Sequence, residues 1–244
     1  MEPGSHQARG AQLSTGVAPF IAIDGPVGSG KTAVGRVLAD RLGHMFLDTG
    51  VMYRAVTYLA LQKQIALSDP DALVRLASSS GMELTGGPGE ECRVIVRSGD
   101  VTDHLRSPEV DRSVSAVSAV SGVREVLVGL QREIAAKGQI VMVGRDIGTV
   151  VMSGAGLKIY LDASVEERAR RRHAQLQESG TDIAYDTVLE DLRRRDDLDS
   201  SREVAPLKRA ADAVDLTTDD LGIDEVVDRL EELARGPGFS GTGA

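Results

Sequence analysis

The sequence has little cysteine and no long apolar run. Cys92 is the single cysteine among 244 residues, which excludes an internal disulfide and a thiolate metal cluster and favours a reducing cytosol. No run of apolar residues approaches the roughly 20 that a membrane-spanning helix needs. The N-terminus also lacks the charged, apolar and small-residue blocks of a signal peptide. These absences predict a cytoplasmic globular protein with no membrane partner.

Lysine is scarce as well, at 5 of the 28 basic residues, and the formal net charge is -9. Binding to a nucleic-acid polymer needs a basic face, so this balance argues against such a partner. The arginines fall in two clumps, Arg168 to Arg172 and Arg193 to Arg195. Because a guanidinium is planar and matches phosphate oxygens, the clumps favour a phosphate ligand, although a base-composition bias of the gene would give the same excess.

What the sequence does have is a phosphate-binding turn within Phe20 to Leu38. A strand-like apolar run stops there, a helical pattern follows, and Gly25, Gly30, Lys31 and Thr32 fit G-x-x-x-x-G-K-[ST]. Glycines leave no side chain between backbone and ligand, so successive N–H groups and the helix N-terminus can surround phosphate oxygens. Lys31 is expected to reach the β- and γ-phosphates, and the Thr32 hydroxyl to ligate Mg²⁺. The motif predicts a P-loop.

Two later strand-like runs also end in polar residues. Met45 to Leu47 leads into Asp48, and Gln139 to Val143 leads through a glycine into Arg145 and Asp146. Open α/β sheets bind ligands at the carboxyl ends of their strands, so these side chains are expected beside the P-loop. An ordinary salt bridge remains the alternative for the Arg-Asp pair. Together with further strand-like runs near 157–162 and 213–216, the alternation with helices predicts an α/β fold with a parallel sheet flanked by helices.

The stretch from Ser68 to Asp100 breaks this alternation. It has a helical pattern at Asp69 to Leu76 and short alternating runs at Met82 to Leu84 and Arg93 to Val96, around turn residues at 86–89. We therefore predict a small α+β insert grafted on the core.

The stretch from Ser107 to Lys137 is predicted to be largely helical, because apolar residues recur on one face early in it and on another face later. Gly122 is the expected break between the two patterns. Serines are numerous here, and their simplest explanation is a packing face of small residues.

An arginine-rich helical hairpin is predicted between 164 and 202. Ser164 should cap its first helix, with Glu167 completing a capping box, and Arg168 and Arg172 lie one turn apart on that helix. The second helix is predicted at Tyr185 to Arg195. Eight arginines in this span are expected to repel one another, which predicts a mobile lid that closes over bound phosphates. The alternative is a solvated hairpin whose charges pair only with each other.

Several motifs taken in order make the chain resemble the bacterial cytidylate kinases, over roughly Val17 to Leu233. They are the P-loop, D-T-G-x-x-Y-R from Asp48, G-R-D-x-G-T from Gly144, the hairpin, and R-D-D-x-D-x-x-R from Arg195. The P-loop alone indicates a superfamily, whereas the ordered set is highly specific. The resemblance implies transfer of the ATP γ-phosphate to CMP or dCMP, in pyrimidine metabolism, on a P-loop core with an insert that binds the nucleoside monophosphate (NMP) and a lid.

The resemblance also implies a role for each matching residue. The donor ATP is expected on the P-loop and lid, at Gly25, Pro26, Val27, Gly28, Ser29, Gly30, Lys31, Thr32, Arg168 and Arg172. The acceptor phosphate is expected on Arg54, Arg145 and Arg202, in a pocket lined by Thr49 and Tyr53. The cytosine edge is expected to be read by Ser115, Arg124 and Asp146, and the sugar by Arg195 and Asp199.

Catalysis of this kind demands little covalent chemistry from the protein. The expected catalytic parts are Lys31, Mg²⁺ and the lid arginines Arg168 and Arg172. Asp48 is expected to orient water bound to the metal and to approach the attacking acceptor oxygen. Thr32 is the expected metal ligand, and the four histidines show no ligand spacing.

Two positions depart from the family pattern. Val143 stands where many relatives have an acidic residue, so a metal-linked carboxylate at that position is absent or replaced by Asp48. Ala33 lacks the second hydroxyl that commonly meets the α-phosphate.

Two other functions share part of this pattern. Another P-loop small-molecule kinase, such as a different nucleotide kinase or a shikimate kinase, has a different acceptor pocket, whereas Ser115, Arg124 and Asp146 together suit cytosine. A nucleotide-dependent switch that binds protein partners does not require a large insert and an arginine-rich lid.

The expected domain organisation is a monomer with flexible tails. Its parts are a tail at 1–16, a P-loop core at 17–48 with 121–163 and 203–235, an NMP-binding insert at 49–120, a lid at 164–202 and a second tail at 236–244.

Overall fold

The computed structural model describes residues 16–87, 92–178 and 180–236. Apart from Gly16 and Gly236, the predicted tails lie outside these ranges. In chain order the main elements are β1 (Phe20–Asp24), α1 (Lys31–Leu42), β2 (Met45–Asp48), α2 (Gly50–Gln62), α3 (Pro70–Ser79), β3 (Glu83–Thr85), β4 (Arg93–Val96), β5 (Gly99–Asp100), α4 (Pro108–Ser118), α5 (Ser121–Ala135), β6 (Ile140–Gly144), β7 (Leu157–Asp162), α6 (Val165–Glu178), α7 (Tyr185–Ser200), β8 (Val214–Thr217) and α8 (Ile223–Ala234).

The core is a five-stranded sheet in the order β2-β6-β1-β7-β8, and every pairing in it is parallel. Helices cover both faces, which is why its central strands are almost wholly apolar. Alternate residues of β1 face opposite layers: Ile21 and Ile23 pack with α1 and α8, whereas Ala22 packs with α2 and α5. The predicted α/β fold with a parallel sheet and flanking helices is confirmed.

The strand order places the P-loop at the middle of the sheet. Pairing with β6 on one side and β7 on the other puts the carboxyl end of β1 between theirs. β2 pairs with β6 so that Asp48 lies opposite Val143. The motif residues at the ends of β1, β2 and β6 therefore lie at one edge of the sheet, which is where open α/β sheets bind ligands.

The predicted insert is present as α3 and a separate antiparallel sheet of β3, β4 and β5. β4 has the predicted bounds, β3 begins one residue later than predicted, and the two-residue β5 was not predicted. Of the turn residues at 86–89, the last two fall outside the described residues. Asp69 caps α3 by accepting a hydrogen bond from Ala72 N at 2.9 Å.

The predicted helix break at Gly122 is wrong. α4 ends at Ser118 and α5 begins at Ser121, so Gly122 lies inside α5. Its role is close packing, because a Cβ placed there would lie 2.6 Å from Cγ2 of Val74 on α3.

Gly122→Ala is therefore expected to lower the free energy of unfolding by about 1 to 2 kcal/mol. The stiff Val74 side chain cannot turn away cheaply, and overpacking of this kind outweighs the gain in helix propensity. Gly129→Ala in the same helix is the matched control, since a Cβ there meets nothing within 4 Å, and it should stabilise by about 0.5 to 1 kcal/mol. Urea denaturation of both variants is the measurement, and equal shifts would contradict the packing argument.

The arginine-rich hairpin is formed by α6 and α7, and α7 continues to Ser200, beyond the predicted end. Ala169, Val188 and Leu192 make a small core between the two helices. Only half of the predicted capping box is present: Ser164 Oγ accepts from Glu167 N at 3.2 Å, while the Glu167 carboxylate bonds to arginines of its own helix.

None of the described helices is alone long and apolar enough to cross a membrane. α4 and α5, bent by 99° at their junction, meet that criterion of length and composition only as a pair.

Candidate active site

The P-loop lies between β1 and α1 and adopts the conformation that its glycines were expected to allow. Gly28 and Gly30 have φ angles of +81° and +89°, which side-chain-bearing residues rarely adopt. Lys31 begins α1, is 7% exposed, and donates from Nζ to Pro26 O at 2.8 Å across the loop. The loop is therefore closed by its own lysine, with the start of a helix directed at the same space.

Burial lowers the pKa of Lys31 well below its usual value. The neighbouring Arg145 lowers this pKa further, whereas Asp48, Asp199 and Asp24 oppose the shift. A buried lysine with a lowered pKa gains from any anion placed beside it, because the anion stabilises the ammonium form.

Thr32 and Asp48 meet beside the P-loop, as the candidate metal position requires. Thr32 Oγ1 donates to Asp48 Oδ2 at 3.0 Å, and the other oxygen of Asp48 accepts from Gly50 N at 3.0 Å. Within the described ranges, no group of three or more His, Cys, Asp or Glu side chains could hold a metal ion. Val143, which stands where many relatives have an acidic residue, is buried in the core. The carboxylate beside Thr32 is therefore that of Asp48, the partner of Val143 in the neighbouring strand. A hydroxyl and one carboxylate fit an Mg²⁺ ion that takes its other ligands from phosphates and water.

Asp24, at the end of β1, connects the P-loop strand to the turn after β6. Its two carboxylate oxygens accept from the backbone N–H groups of Ile147 and Gly148, both at 2.7 Å, and the residue is 3% exposed. Burial is the main cause that raises the pKa of Asp24 to about 6, and the two backbone hydrogen bonds partly oppose it. This residue fixes the position of the Arg145-Asp146 segment relative to the P-loop.

Asp24→Asn should change how stability depends on pH. Because the folded-state pKa of about 6 lies above the ordinary 3.8, the unfolded chain loses this proton first. The contribution of Asp24 is therefore fully present below pH 4 and lost as pH rises through 6. We expect the wild type to lose about 3 kcal/mol relative to the variant over that window. Urea denaturation of both proteins from pH 4 to 7 measures the difference, and parallel pH profiles would contradict the assignment.

The candidate base-recognition residues form a buried cluster. Arg124 of α5 and Asp146 make an ion pair in which the side chains are 4% and 7% exposed. The Arg124 guanidinium lies 5.4 Å from the centroid of the Tyr53 ring, and its Nε is buried without a hydrogen-bond partner. Ser115 lies on α4, and Ser118 of that helix accepts from Arg124 through its carbonyl at 3.3 Å. A buried donor without a partner is costly to keep, which indicates a ligand atom at this place.

The predicted phosphate and sugar residues lie beside this cluster. Arg145 Nε donates to Asp199 Oδ2 at 2.7 Å, and Arg202 approaches Asp199 at 3.8 Å. Arg202 Nη2, the atom that makes this approach, is buried without a hydrogen-bond partner, and burial lowers the pKa of this guanidinium. Thr49 is buried at the same sheet edge and donates from its hydroxyl to Val143 O at 3.0 Å.

The lid arginines diverge in the structure. Arg168 is buried against the P-loop, where its Nη1 donates to Val27 O at 3.1 Å, and it forms an ion pair with Asp196 at 2.6 Å. Arg172 instead contacts α4, where its Nη2 donates to the Asp111 carboxylate at 3.0 Å. Arg171, which the sequence analysis left without a role, lies near Gly30.

The mutual repulsion expected among the hairpin arginines is largely absent. Five of them form ion pairs within or between α6 and α7: Arg168 with Asp196, Arg170 and Arg171 with Glu167, Arg193 with Glu166, and Arg194 with Asp191. The alternative in which the charges of the hairpin pair with each other therefore describes these five arginines. Arg172 and Arg195 contact Asp111 of α4, and Arg202 approaches Asp199.

Two carboxylates of the site were missed from the sequence, Asp24 and Asp111. Asp24 had a usable signal, since it ends a strand directly before the first P-loop glycine. Asp111 had none, because an acidic residue in the first turn of a helix ordinarily complements the helix dipole.

The chain is similar to known cytidylate kinases over most of its length. The family model described as cytidylate kinase matches residues 21–236. A cytidylate kinase of Geobacillus sp. (strain WCH70) is 48% identical over 213 residues, which cover 87% of this chain and 95% of that protein. The cytidylate kinase of Carboxydothermus hydrogenoformans is 47% identical over 214 residues, or 87% and 96% of the two chains. That of Herpetosiphon aurantiacus is 48% identical over 209 residues, or 84% and 90%. With the resemblance deduced from the motifs thus confirmed, the chain is a kinase and belongs to the cytidylate kinase family.

Proposed function

We propose that this protein transfers the γ-phosphate of ATP to CMP or dCMP, giving ADP and CDP or dCDP. An oxygen of the acceptor phosphate bonds to the γ-phosphorus as the bond from that phosphorus to the β-phosphate oxygen breaks. The buried Arg124-Asp146 pair is the observation that favours a cytosine nucleotide as the acceptor. It offers a hydrogen-bond donor and an acceptor on two buried side chains, which is the pattern that a cytosine edge requires, and Arg124 Nε has no hydrogen-bond partner of its own.

Each predicted domain has its own role in the reaction. The core at 17–48, 121–163 and 203–235 supplies the P-loop and the sheet edge, the insert at 49–120 supplies acceptor contacts, and the lid at 164–202 covers both nucleotides. The donor phosphates lie on the P-loop from Gly25 to Thr32, with Arg168 beside them. Mg²⁺ is held by Thr32, assisted by Asp48, and neutralises phosphate charge when bound.

The acceptor residues hold CMP in line with the donor. Arg54, Arg145 and Arg202 bind its phosphate beside Thr49 and Tyr53, and Arg195 and Asp199 bind its sugar. Ser115, Arg124 and Asp146 bind the cytosine. Lys31, with Arg168 and Arg172, stabilises the charge that develops in the transition state. Asp199 and Asp196 already hold Arg145 and Arg168 in place, so these two guanidiniums need little reorganisation when the phosphates arrive.

A coupled assay of ADP release tests this proposal across CMP, dCMP, UMP, AMP and GMP. We expect turnover with CMP and dCMP well above that with the purine nucleotides, because the buried pair fits one base edge. Preference for another acceptor would indicate the other P-loop kinases. A stable protein complex that changes between ATP and ADP, without turnover, would indicate the switch; neither alternative has support from the family assignment.

The cellular setting follows from this activity. We propose a monomer that works in the cytoplasm in pyrimidine metabolism, binds only ATP and its small acceptor, and uses neither a nucleic-acid polymer nor a membrane. The single cysteine and the negative net charge support this setting.

A further inference from the structure

Asp111, in the first turn of α4, collects arginines from three other helices. Its carboxylate forms ion pairs with Arg54 of α2 and with Arg172 of α6, the latter at 3.0 Å. Its backbone carbonyl accepts from Arg195 of α7. One residue of the insert therefore connects to both helices of the lid and to an arginine assigned to the acceptor phosphate.

The charges around Asp111 do not cancel. Three guanidiniums surround one carboxylate, which leaves a local excess of positive charge. The pKa of Arg195 is lowered, mainly by burial. The neighbouring charges of Arg54 and Arg172 lower this pKa further, whereas Asp111 raises it. The Asp111, Arg54 and Arg172 side chains are 18%, 21% and 34% exposed, so a small anion from solvent can reach them.

We propose that Asp111 is an internal competitor for the acceptor phosphate. In the nucleotide-free protein its carboxylate occupies Arg54 and holds the lid against the insert through Arg172, while the backbone carbonyl of Asp111 accepts from Arg195. A nucleoside monophosphate then displaces it, because a phosphate dianion has more charge and more acceptor oxygens than a carboxylate. Asp111 thereby lowers the affinity for the acceptor and couples acceptor binding to release of the lid. The identity of the displacing anion rests on the proposed function, whereas the hold on the lid does not.

A different role for Asp111 predicts the opposite change in CMP affinity when its carboxylate is removed. If Asp111 only orients the arginines toward the phosphate, its removal disorders them and weakens acceptor binding. If it competes for them, its removal leaves them free and strengthens binding. The sign of the change in CMP affinity therefore separates the two roles.

The experiment compares Asp111→Asn with wild type, using Asp191→Asn as the matched control. Asp191 pairs with Arg194 inside the lid, away from the insert, so the control makes the same chemical change without touching the Asp111 contacts. In Asp111→Asn we expect CMP to bind about 5-fold more tightly by calorimetry, a coupling at the low end of the usual range. Amide exchange in α6 and α7 of the nucleotide-free variant should be faster than in wild type. The control should change neither quantity.

Each contrary result would refute one of the two parts of the proposal, either the competition for the acceptor phosphate or the hold on the lid. Unchanged or weaker CMP binding refutes competition, and unchanged lid exchange refutes the hold on the lid. If the wild type binds no CMP at all, the proposed function fails, and the lid exchange measured without nucleotide still decides whether Asp111 holds the lid. Arg172→Gln removes the same contact from the other side and should also speed lid exchange, so an unfolded Asp111→Asn does not end the test. In the double variant the two effects should be less than additive.

Discussion

Replacing Lys31 with alanine is expected to lower the turnover number by about 10² to 10³-fold while the fold is retained. Lys31 is buried in the P-loop, where the donor phosphates are proposed to lie, and its ammonium would be the preorganised positive charge beside them. Loss of one such charge-stabilising group typically costs this much in rate. Steady-state assay of ADP release, with circular dichroism to verify folding, is the measurement.

Lys63→Ala serves as the control for this prediction. Lys63 is exposed at the end of α2, so its removal deletes an amine without touching the P-loop. Near-normal turnover in Lys31→Ala, or an equal loss in both variants, would refute the assignment of Lys31 as the residue that stabilises developing phosphate charge.

Arg124→Met is expected to weaken CMP binding by about 10 to 100-fold and to change ATP binding by less than about 2-fold. Arg124 is proposed to bind the base and contacts Asp146, Ser118 and Tyr53; its removal would leave a recognition partner unpaired, at a cost of about 1 to 3 kcal/mol. Calorimetric titration with CMP and, separately, with a non-hydrolysable ATP analogue measures both affinities.

A structural role for Arg124 predicts a different outcome. Removing only the arginine leaves Asp146 as an uncompensated buried charge, which by itself destabilises the protein. The double variant Arg124→Met with Asp146→Asn removes the buried pair together and should recover stability without recovering CMP affinity. Equal losses for CMP and ATP, or recovery of CMP binding in the double variant, would show that the pair supports the fold and does not read the base.

The lid illustrates how local sequence can mislead about electrostatics. Eight arginines in one stretch predicted strong repulsion, yet most of their partners are carboxylates on the same two helices, such as Glu166, Glu167 and Asp196. Their pairing depends on how α6 and α7 face each other. Whether ligand binding still orders the hairpin remains a prediction; without nucleotide, Arg172 already connects it to Asp111 of α4.

The break between α4 and α5 shows that the local properties of a glycine are also a poor guide to where a helix ends. Gly122 was interpreted through its low helix propensity, but the structure uses it for close contact with Val74. The break falls just before Ser121, where neither residue type nor spacing gave a signal. Propensity is a weak guide where packing between helices decides the backbone.

The sequence by itself determined the P-loop, the strand ends and the order of the motifs. These depend on short spacings along one element, such as apolar strands that end in glycine, and periodicity along one element is visible in the letters. Only the tertiary structure decided the roles of Asp24 and Asp111. The backbone N–H partners of Asp24 are 123 and 124 residues away in the chain, and the arginine side chains that contact Asp111 are 57, 61 and 84 residues away. A carboxylate acquires its role from the cations and N–H groups around it, and for these two residues the fold of distant segments brings those groups into contact.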